Sequence, residues 1–254
     1  MDLPAPPSFR LDGKRALVTG ASRGIGRHAA IALAQSGAAV VLAARNAAES
    51  EETAQALRAA DHEATVIALD VTDRAAVREA VARSGPFDIL VNNAGGNIRE
   101  PALEVTDEAF DHLMDLNIRA CFTVAQAVAK GMVEAGRGGV IVNLSSINGH
   151  RAAAGRPVYI TTKHALEGMT KSLAADLAPH GIRVNAVCPG FVETPLTRGV
   201  LSDPAFRKRQ TDRMLLQRIM STDDIVGSIV FLCSPAASMI TGASLLVDGG
   251  YAAI

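Results

Sequence analysis

"LVTGASRGIGRHAA", residues 17–30, carries two overlapping patterns that predict different chemistry. Gly20-Ala21-Ser22-Arg23-Gly24 fits G-x-S-x-G, the strand-to-helix elbow that presents a nucleophilic serine. Gly20, Gly24 and Gly26 also fit a glycine-rich loop, in which a phosphate approaches unpaired backbone N–H groups at the start of a helix. Both patterns need a strand before the loop and a helix after it, so the surrounding chain has to separate them.

Outward from that loop the sequence alternates between two periodicities. The runs "RALVT", "AVVLAA", "TVIAL", "FDILV", "GVIVNL", "IRVNAV" and "SLLV" are nearly continuous in apolar, often β-branched residues, as strands buried on both faces are. The segments between them have helical spacing. In 157–179 the residues Ile160, Leu166, Met169, Leu173 and Leu177 return to one face, and Pro179 and Gly181 end the helix. Seven strands with intervening helices imply the α/β class. The expected architecture is a single doubly wound domain with a seven-stranded parallel sheet over 14–254, whose ligands bind beyond the carboxyl ends of the strands. Residues 1–13, "MDLPAPPSFRLDG", read as a flexible, proline-stiffened tail.

Composition excludes several classes of function. The chain has 254 residues, 48% hydrophobic and 20% charged, enough to bury a full core, and its net charge of -1 supplies no basic field for nucleic acid. Cys121, Cys188 and Cys233 are odd in number and set in apolar surroundings, which reads as reduced thiols in a cytoplasmic protein. No clustered ligands suggest a metal. The N-terminus lacks the charge and apolar pattern of a signal peptide, and no apolar run has the length of a membrane span, so no membrane partner is expected.

The hydrolase reading fails on order. Its serine should follow a middle strand and be served by a late histidine, whereas Ser22 follows the first strand and no histidine comes after His180. The phosphate-loop reading survives, although the spacing is not G-x-G-x-x-G and no Gly-Lys-Ser/Thr follows. After the second strand comes Arg45, where an NAD site would place an acid on the ribose 2′-hydroxyl. Arg45 and Arg23 are cations suited to a 2′-phosphate, which favours NADP(H) over NAD(H). Asp70-Val71 would flank the adenine, or else form the N-cap region of a helix beginning near Asp73.

"TGASRGIG" (19–26), "NNAG" (92–95), Ser146 upstream of "YITTK" (159–163) and "CPGFVET" (188–194) together resemble the short-chain dehydrogenase/reductase family, in order and over nearly the whole chain. The resemblance implies a Rossmann-type domain, a homo-tetramer, and a catalytic set of Asn117, Ser146, Tyr159 and Lys163. It places the cofactor on Gly20, Ser22, Arg23, Gly24, Ile25, Gly26, Arg45, Asp70, Val71, Asn93, Ala94 and Gly95. Tyr159, Lys163, Pro189, Gly190, Val192 and Thr194 complete that set, and 195–213 become a mobile lid.

The residue types suit that chemistry. Tyr159 and Lys163 are four apart on one helix face, and an ammonium near a phenol favours the phenolate. Ser146, or its rival Ser145, can donate a hydrogen bond where negative charge grows on the substrate oxygen. Asn117 lies in an apolar helical stretch that would normally avoid it. The family makes it the anchor of a proton-relaying water; the alternative is an Asn bonded to a preceding carbonyl. Asn92 and Asn93 read as loop ties.

The expected function is NADP(H)-dependent hydride transfer between nicotinamide and a carbonyl or secondary alcohol. "GNIREPALE" (96–104) and "ETPLTRGVLSDPAF" (193–206) resemble the sugar-acid branch, the gluconate 5-dehydrogenases, whereas "TDRMLLQRI" (211–219) departs from it. A 3-oxoacyl thioester reductase is the alternative within the family, and a non-catalytic NADP(H)-binding regulator the alternative outside enzymes. Arg99, Asn148, Arg151 and Arg156 are expected at the substrate mouth, joined by Arg198, where arginines would favour an anion. The alternative is that each arginine is a solvated loop residue or pairs with neighbours such as Glu100 and Glu104.

Overall fold

Strand residues alternate between two buried faces, and that alternation organises the chain. In the computed structural model, which describes residues 6–254, β1 (Arg15–Thr19) turns Ala16 and Val18 to one side and Leu17 to the other. Val40 and Leu42 of β2 (Ala39–Ala44) join Ala16 and Val18, while Val41 and Ala43 join Leu17. With β3 (Ala64–Ala68), β4 (Ile89–Asn92), β5 (Gly139–Leu144), β6 (Ile182–Pro189) and β7 (Ser244–Val247) these form one parallel seven-stranded sheet, ordered β3-β2-β1-β4-β5-β6-β7.

Helices cover both faces, which is why the strands are apolar throughout. On the first, α1 (Gly24–Gln35) packs beside α9 (Asp223–Cys233), with α2 (Ala47–Ala59) flanking; Leu33, Leu57, Ile225 and Ile229 fill the layer. On the second lie α3 (Arg74–Ser84), the run from α4 (Asp107–Met114) through α5 (Ala120–Ala135), and α6 (Pro157–Leu177). Val77, Val124, Val128 and Met132 carry that layer. The segment after β6 folds into α7 (Arg198–Leu201) and α8 (Pro204–Asp212). Strand order reverses at β1, where β2 lies on one side and β4 on the other, so the loops after β1 and β4 diverge and leave a crevice. No helix among the described residues is long and apolar enough to cross a membrane.

Two expectations are corrected. Of the stretch read as a tail, residues 1–5 lie outside the described residues, and from Ser8 onward it is bound to the domain: Leu11 is buried, its N–H donates to the Ser36 carbonyl, and Phe9 packs on Phe231. Prolines marked the segment as irregular, but burial of Leu11 and the contact of the exposed Phe9 ring with Phe231 dock it. In α6 the inward stripe is Val158, Thr162, Lys163, Leu166, Glu167, Thr170 and Ala174. Of the five apolar residues chosen from spacing, only Leu166 is buried. The helix turns a polar stripe inward, toward the site described next.

Candidate active site

The loop after β1 is shaped by contacts that only glycine permits. Gly20 has φ +64, and a Cβ there would lie 2.9 Å from Asn93 Nδ2; a Cβ on Gly26 would run into the Gly20 carbonyl. Arg23 precedes α1 in extended backbone, gives no side-chain cap, and no acid occupies the first turn, so side chains leave the opening N–H groups of the helix free. This cradle fits a pyrophosphate. Ser22 is half-buried, and the nearby His28 imidazole bonds the Gly24 carbonyl at 2.8 Å. Ile25 packs against the core beneath the loop.

Neighbouring loops are tied to this cradle. Asn93 donates from Nδ2 to the carbonyls of Thr19 (2.9 Å) and Gly20 (3.1 Å), and the Asn93 and Ala94 N–H groups donate to Thr19 Oγ1. Asn92 points the other way, donating to the Cys121 carbonyl at 2.8 Å. Thr194, beyond Pro189, Gly190 and Val192 at the end of β6, lies 3.7 Å from the Cβ position of Gly24. Loops after β1, β4 and β6 therefore meet at one edge, with Gly95 beside Asn117. Arg23 and Arg45 are both exposed. Asp70 accepts from Thr72 N (2.9 Å) and Oγ1 (2.7 Å), bonds that hold its carboxyl below the usual carboxylate range with help from Arg45. Asp73 is the cap of α3, donated to by Ala75 and Ala76; Asp70 is left beside the buried Val71 at the crevice.

At the ends of β5 and α6 four buried or half-buried side chains come together. Lys163 is buried and donates from Nζ to the Leu144 carbonyl at 2.8 Å, while Nζ lies 5.7 Å from the centre of the Tyr159 ring. Ser145 continues the β5–β6 pairing through its N–H to Val187 O, and its hydroxyl faces Cys188. Alternation along the strand turns Ser146 away from it, and Ser146 Oγ accepts from Asn148 N at 3.1 Å. Asn117 sits in a single π-helical turn, Asp115–Arg119, between α4 and α5. It accepts from Gly96 N (2.9 Å) and donates to Gly96 O (3.0 Å) and Thr162 Oγ1 (3.1 Å), stapling the β4 loop to α6. Its amide bonds across the fold rather than to a preceding helical carbonyl.

The outer wall joins arginines to aromatic rings. Arg151 stacks on Tyr251, 4.5 Å from the ring centre; Arg99 lies 5.7 Å from that of Phe206; Phe191 packs between the two aromatics. Arg156, just before α6, is half-buried, and its Nε is buried without a hydrogen-bond partner. Burial and the charge of Arg99 lower its affinity for a proton, opposed by Tyr159 and Tyr251. Asn97 Oδ1, in the β4 loop, is likewise buried and unpaired. Arg198 is exposed at the start of α7. The 195–213 segment is anchored by Phe206 on Phe191 and by buried Gln210, which accepts from the Tyr251 hydroxyl at 3.0 Å.

Tyr251, Phe206, Gln210 and Arg213 escaped the sequence reading. Arg213 donates to the Tyr251 hydroxyl and lies 5.5 Å from its ring centre. The available signal was the pair Gly249-Gly250, both at positive φ, which bends the chain terminus back over the site.

Known proteins are similar to this chain in sequence and fold. Residues 20–252 match the family model described as enoyl-(acyl carrier protein) reductase. The chain is 42% identical to L-xylulose reductase of Bos taurus, covering 96% of this chain and 99% of that protein. It is 41% identical to gluconate 5-dehydrogenase of Gluconobacter oxydans (strain 621H), covering 96% and 97%. A crystal structure of a gluconate 5-dehydrogenase from Burkholderia cenocepacia J2315, in complex with NADP and tartrate, superposes with a TM-score of 0.93 at 39% identity, covering 97% of this chain and 98% of that one.

Proposed function

Because the chain belongs to the short-chain dehydrogenase/reductase family and is an oxidoreductase acting on CH–OH groups, we propose that it interconverts a keto sugar acid and its alcohol with NADP(H), using Tyr159 as proton donor and acceptor. When bound, the cofactor supplies or accepts the hydride. The observation that carries the reading is Lys163 held on the Leu144 carbonyl beside the Tyr159 ring, at the place where the turn after β5 that begins at Ser146 packs on α6.

Each residue then has a distinct task. The Tyr159 hydroxyl gives its proton to the carbonyl oxygen during reduction and takes it back during oxidation. Lys163, fixed by the Leu144 carbonyl, stabilises negative charge on that phenol and reaches the cofactor ribose. Ser146 donates to the substrate oxygen, a role Ser145 is turned away from. Asn117 holds Gly96 and Thr162 in place and supports the proton path toward Lys163. Arg23 and Arg45 take the 2′-phosphate; Asp70 and Val71 flank the adenine; Val192 and Thr194 meet the nicotinamide amide. The helices α7 and α8 close over the substrate.

The unpaired, buried Nε of half-buried Arg156, with Arg99 beside it, supports an anionic substrate, since such an N–H favours a carboxylate partner. Homo-tetramer formation in the cytoplasm belongs to the same reading, with exposed Phe110 and Phe122 on α4 and α5 offering an apolar face. NADPH oxidation with a keto sugar acid, a neutral ketose and a 3-oxoacyl thioester tests the proposal. The keto acid should turn over with the highest kcat/KM; a higher value for either competitor overturns the substrate assignment, and no oxidation with any ketone overturns the assignment of Tyr159.

A further inference from the structure

Behind the Ser145 side of β5 lies a second cluster that hydride transfer does not use. His150 closes the short turn after Ser146, Glu167 sits one helical turn beyond Lys163 on the inward stripe of α6, and Cys188 ends β6 immediately before Pro189. Sequence spacing hid the group, because three elements deliver one ligand each. The Cys188 sulfur lies 3.3 Å from Glu167 Oε1 and 3.5 Å from His150 Nε2, and His150 Nε2 is 3.4 Å from Glu167 Oε2.

We propose that His150 Nε2, the Glu167 carboxylate and the Cys188 sulfur form a Zn²⁺ site joining the carboxyl ends of β5 and β6 to α6. Three features carry this. A tetrahedral zinc with bonds of about 2.0–2.3 Å has ligand-to-ligand edges of about 3.3–3.7 Å; Cys188 Sγ and His150 Nε2 stand at 3.5 Å, and with one Glu167 oxygen as the third ligand all three atoms lie within 4.8 Å, so a turn of the carboxylate, which also accepts from Ser244 Oγ, closes the triangle. One imidazole, one carboxylate and one thiolate form a mixed donor set that zinc accepts, and with two negative ligands the ion makes a neutral centre where an isolated buried charge would be costly. Finally, Ser145 is buried, its hydroxyl has no well-formed hydrogen bond, and it faces Cys188, leaving it available to a fourth, metal-bound water.

Access and proton balance are consistent. His150 is partly exposed, so an ion can enter from solvent on its side, while Glu167 and Cys188 are buried behind it. On binding, the Cys188 S–H bond breaks, its proton leaves to solvent and the sulfur pair forms the bond to zinc. Burial and the Glu167 carboxylate push the free thiol up, so binding weakens as pH falls. Cys121 and Cys233 lie in no such group among the described residues, which makes the thiolate signal specific to Cys188.

Cobalt(II) is the probe. The full-length reduced protein, freed of metal with a chelator, should bind one equivalent of Co²⁺ with thiolate-to-cobalt charge-transfer absorption in the near ultraviolet, displaced by Zn²⁺. Cys188→Ser should abolish that absorption. His150→Ala, at the partly exposed end, should fold, bind NADPH and weaken cobalt binding by at least about tenfold. Absence of the band at excess Co²⁺, or a band of undiminished affinity in His150→Ala, overturns the proposal, and the second outcome decides even if Cys188→Ser does not fold. None of these readouts depends on substrate or on hydride transfer.

Discussion

Lys163 Nζ donates to the carbonyl of Leu144 at 2.8 Å, anchoring the ammonium to the end of β5, two residues before Ser146. The same helix presents Tyr159 one turn earlier, with its ring centre 5.7 Å from that ammonium. Tyr159→Phe removes the hydroxyl and leaves the ring and the Lys163 anchor. We expect kcat to fall by about 100- to 10,000-fold with NADPH affinity unchanged, measured by steady-state turnover and by cofactor fluorescence titration. Activity within tenfold of the parent would remove Tyr159 from the chemistry.

In the proposed reading the 2′-phosphate is held by Arg23 and Arg45, both exposed. A charge-assisted hydrogen bond contributes about 1.5–3 kcal/mol, so Arg45→Ala should raise KM for NADPH by about 10- to 100-fold and leave KM for NADH nearly unchanged. Equal effects on the two cofactors would place the 2′-phosphate elsewhere.

The tie between loops is testable at Gly26, where a Cβ meets Asn93 Nδ2 and the Gly20 carbonyl. Gly26→Ala should disrupt the bonds from Asn93 to Thr19 and Gly20, with a loss of about 1–3 kcal/mol in urea unfolding and a matching loss of NADPH affinity. Full stability with full affinity would mean that the loop relaxes at no cost.

What could be read from sequence follows from how local each signal is. Parallel strands announced themselves by apolar runs, and the cradle by three glycines in seven residues, since both depend on neighbours along the chain. The inward face of α6 was misread because most of its buried residues, Thr162, Lys163, Glu167 and Thr170, are polar and find partners on other elements: Asn117, the Leu144 carbonyl, Cys188 and Asn143. Asn117 looked misplaced on helical spacing; its partners, Gly96 and Thr162, are remote in sequence. The docking of Tyr251 beside Arg151 and Arg213, and the meeting of His150, Glu167 and Cys188, involve separations for which no periodicity exists.

Acid should weaken one specific helix start. Asp224, in the first turn of α9, accepts two bonds of 2.6 Å from Arg218 and one of 2.8 Å from Ser221 N. The Arg218 bonds, then the Ser221 N–H, hold its carboxyl well below the usual carboxylate range. A depressed folded-state value contributes stability that is present above the unfolded value, about pH 4, and is lost as pH falls further. Asp224→Asn should therefore be less stable than the parent at pH 7, with the difference narrowing from about pH 4 downward in thermal melts. A difference that is constant from pH 7 to pH 3 would assign the loss to packing.

The two arginines proposed to meet the substrate, Arg156 and Arg99, should behave differently, because one is half-buried and the other exposed. Arg156 has a buried Nε without a partner, while Arg99 is exposed over the Phe206 ring. A carboxylate that pairs with the buried Nε of Arg156 is partly shielded from water, so Arg156→Met should raise KM for a keto sugar acid by about 10- to 100-fold, with less dependence on salt than at Arg99. Arg99 acts across solvent, and its field is screened within about 10 Å at 0.1 M ionic strength. Arg99→Ala should accordingly raise the same KM only a few-fold, with the effect confined to low salt. For a neutral ketose both substitutions should leave KM close to that of the parent. Loss of turnover with the neutral ketose in Arg156→Met would show instead that this guanidinium positions Tyr159. Insensitivity of the keto acid to both substitutions would move its carboxylate to another part of the wall, with Arg151 on Tyr251 the next cation to replace.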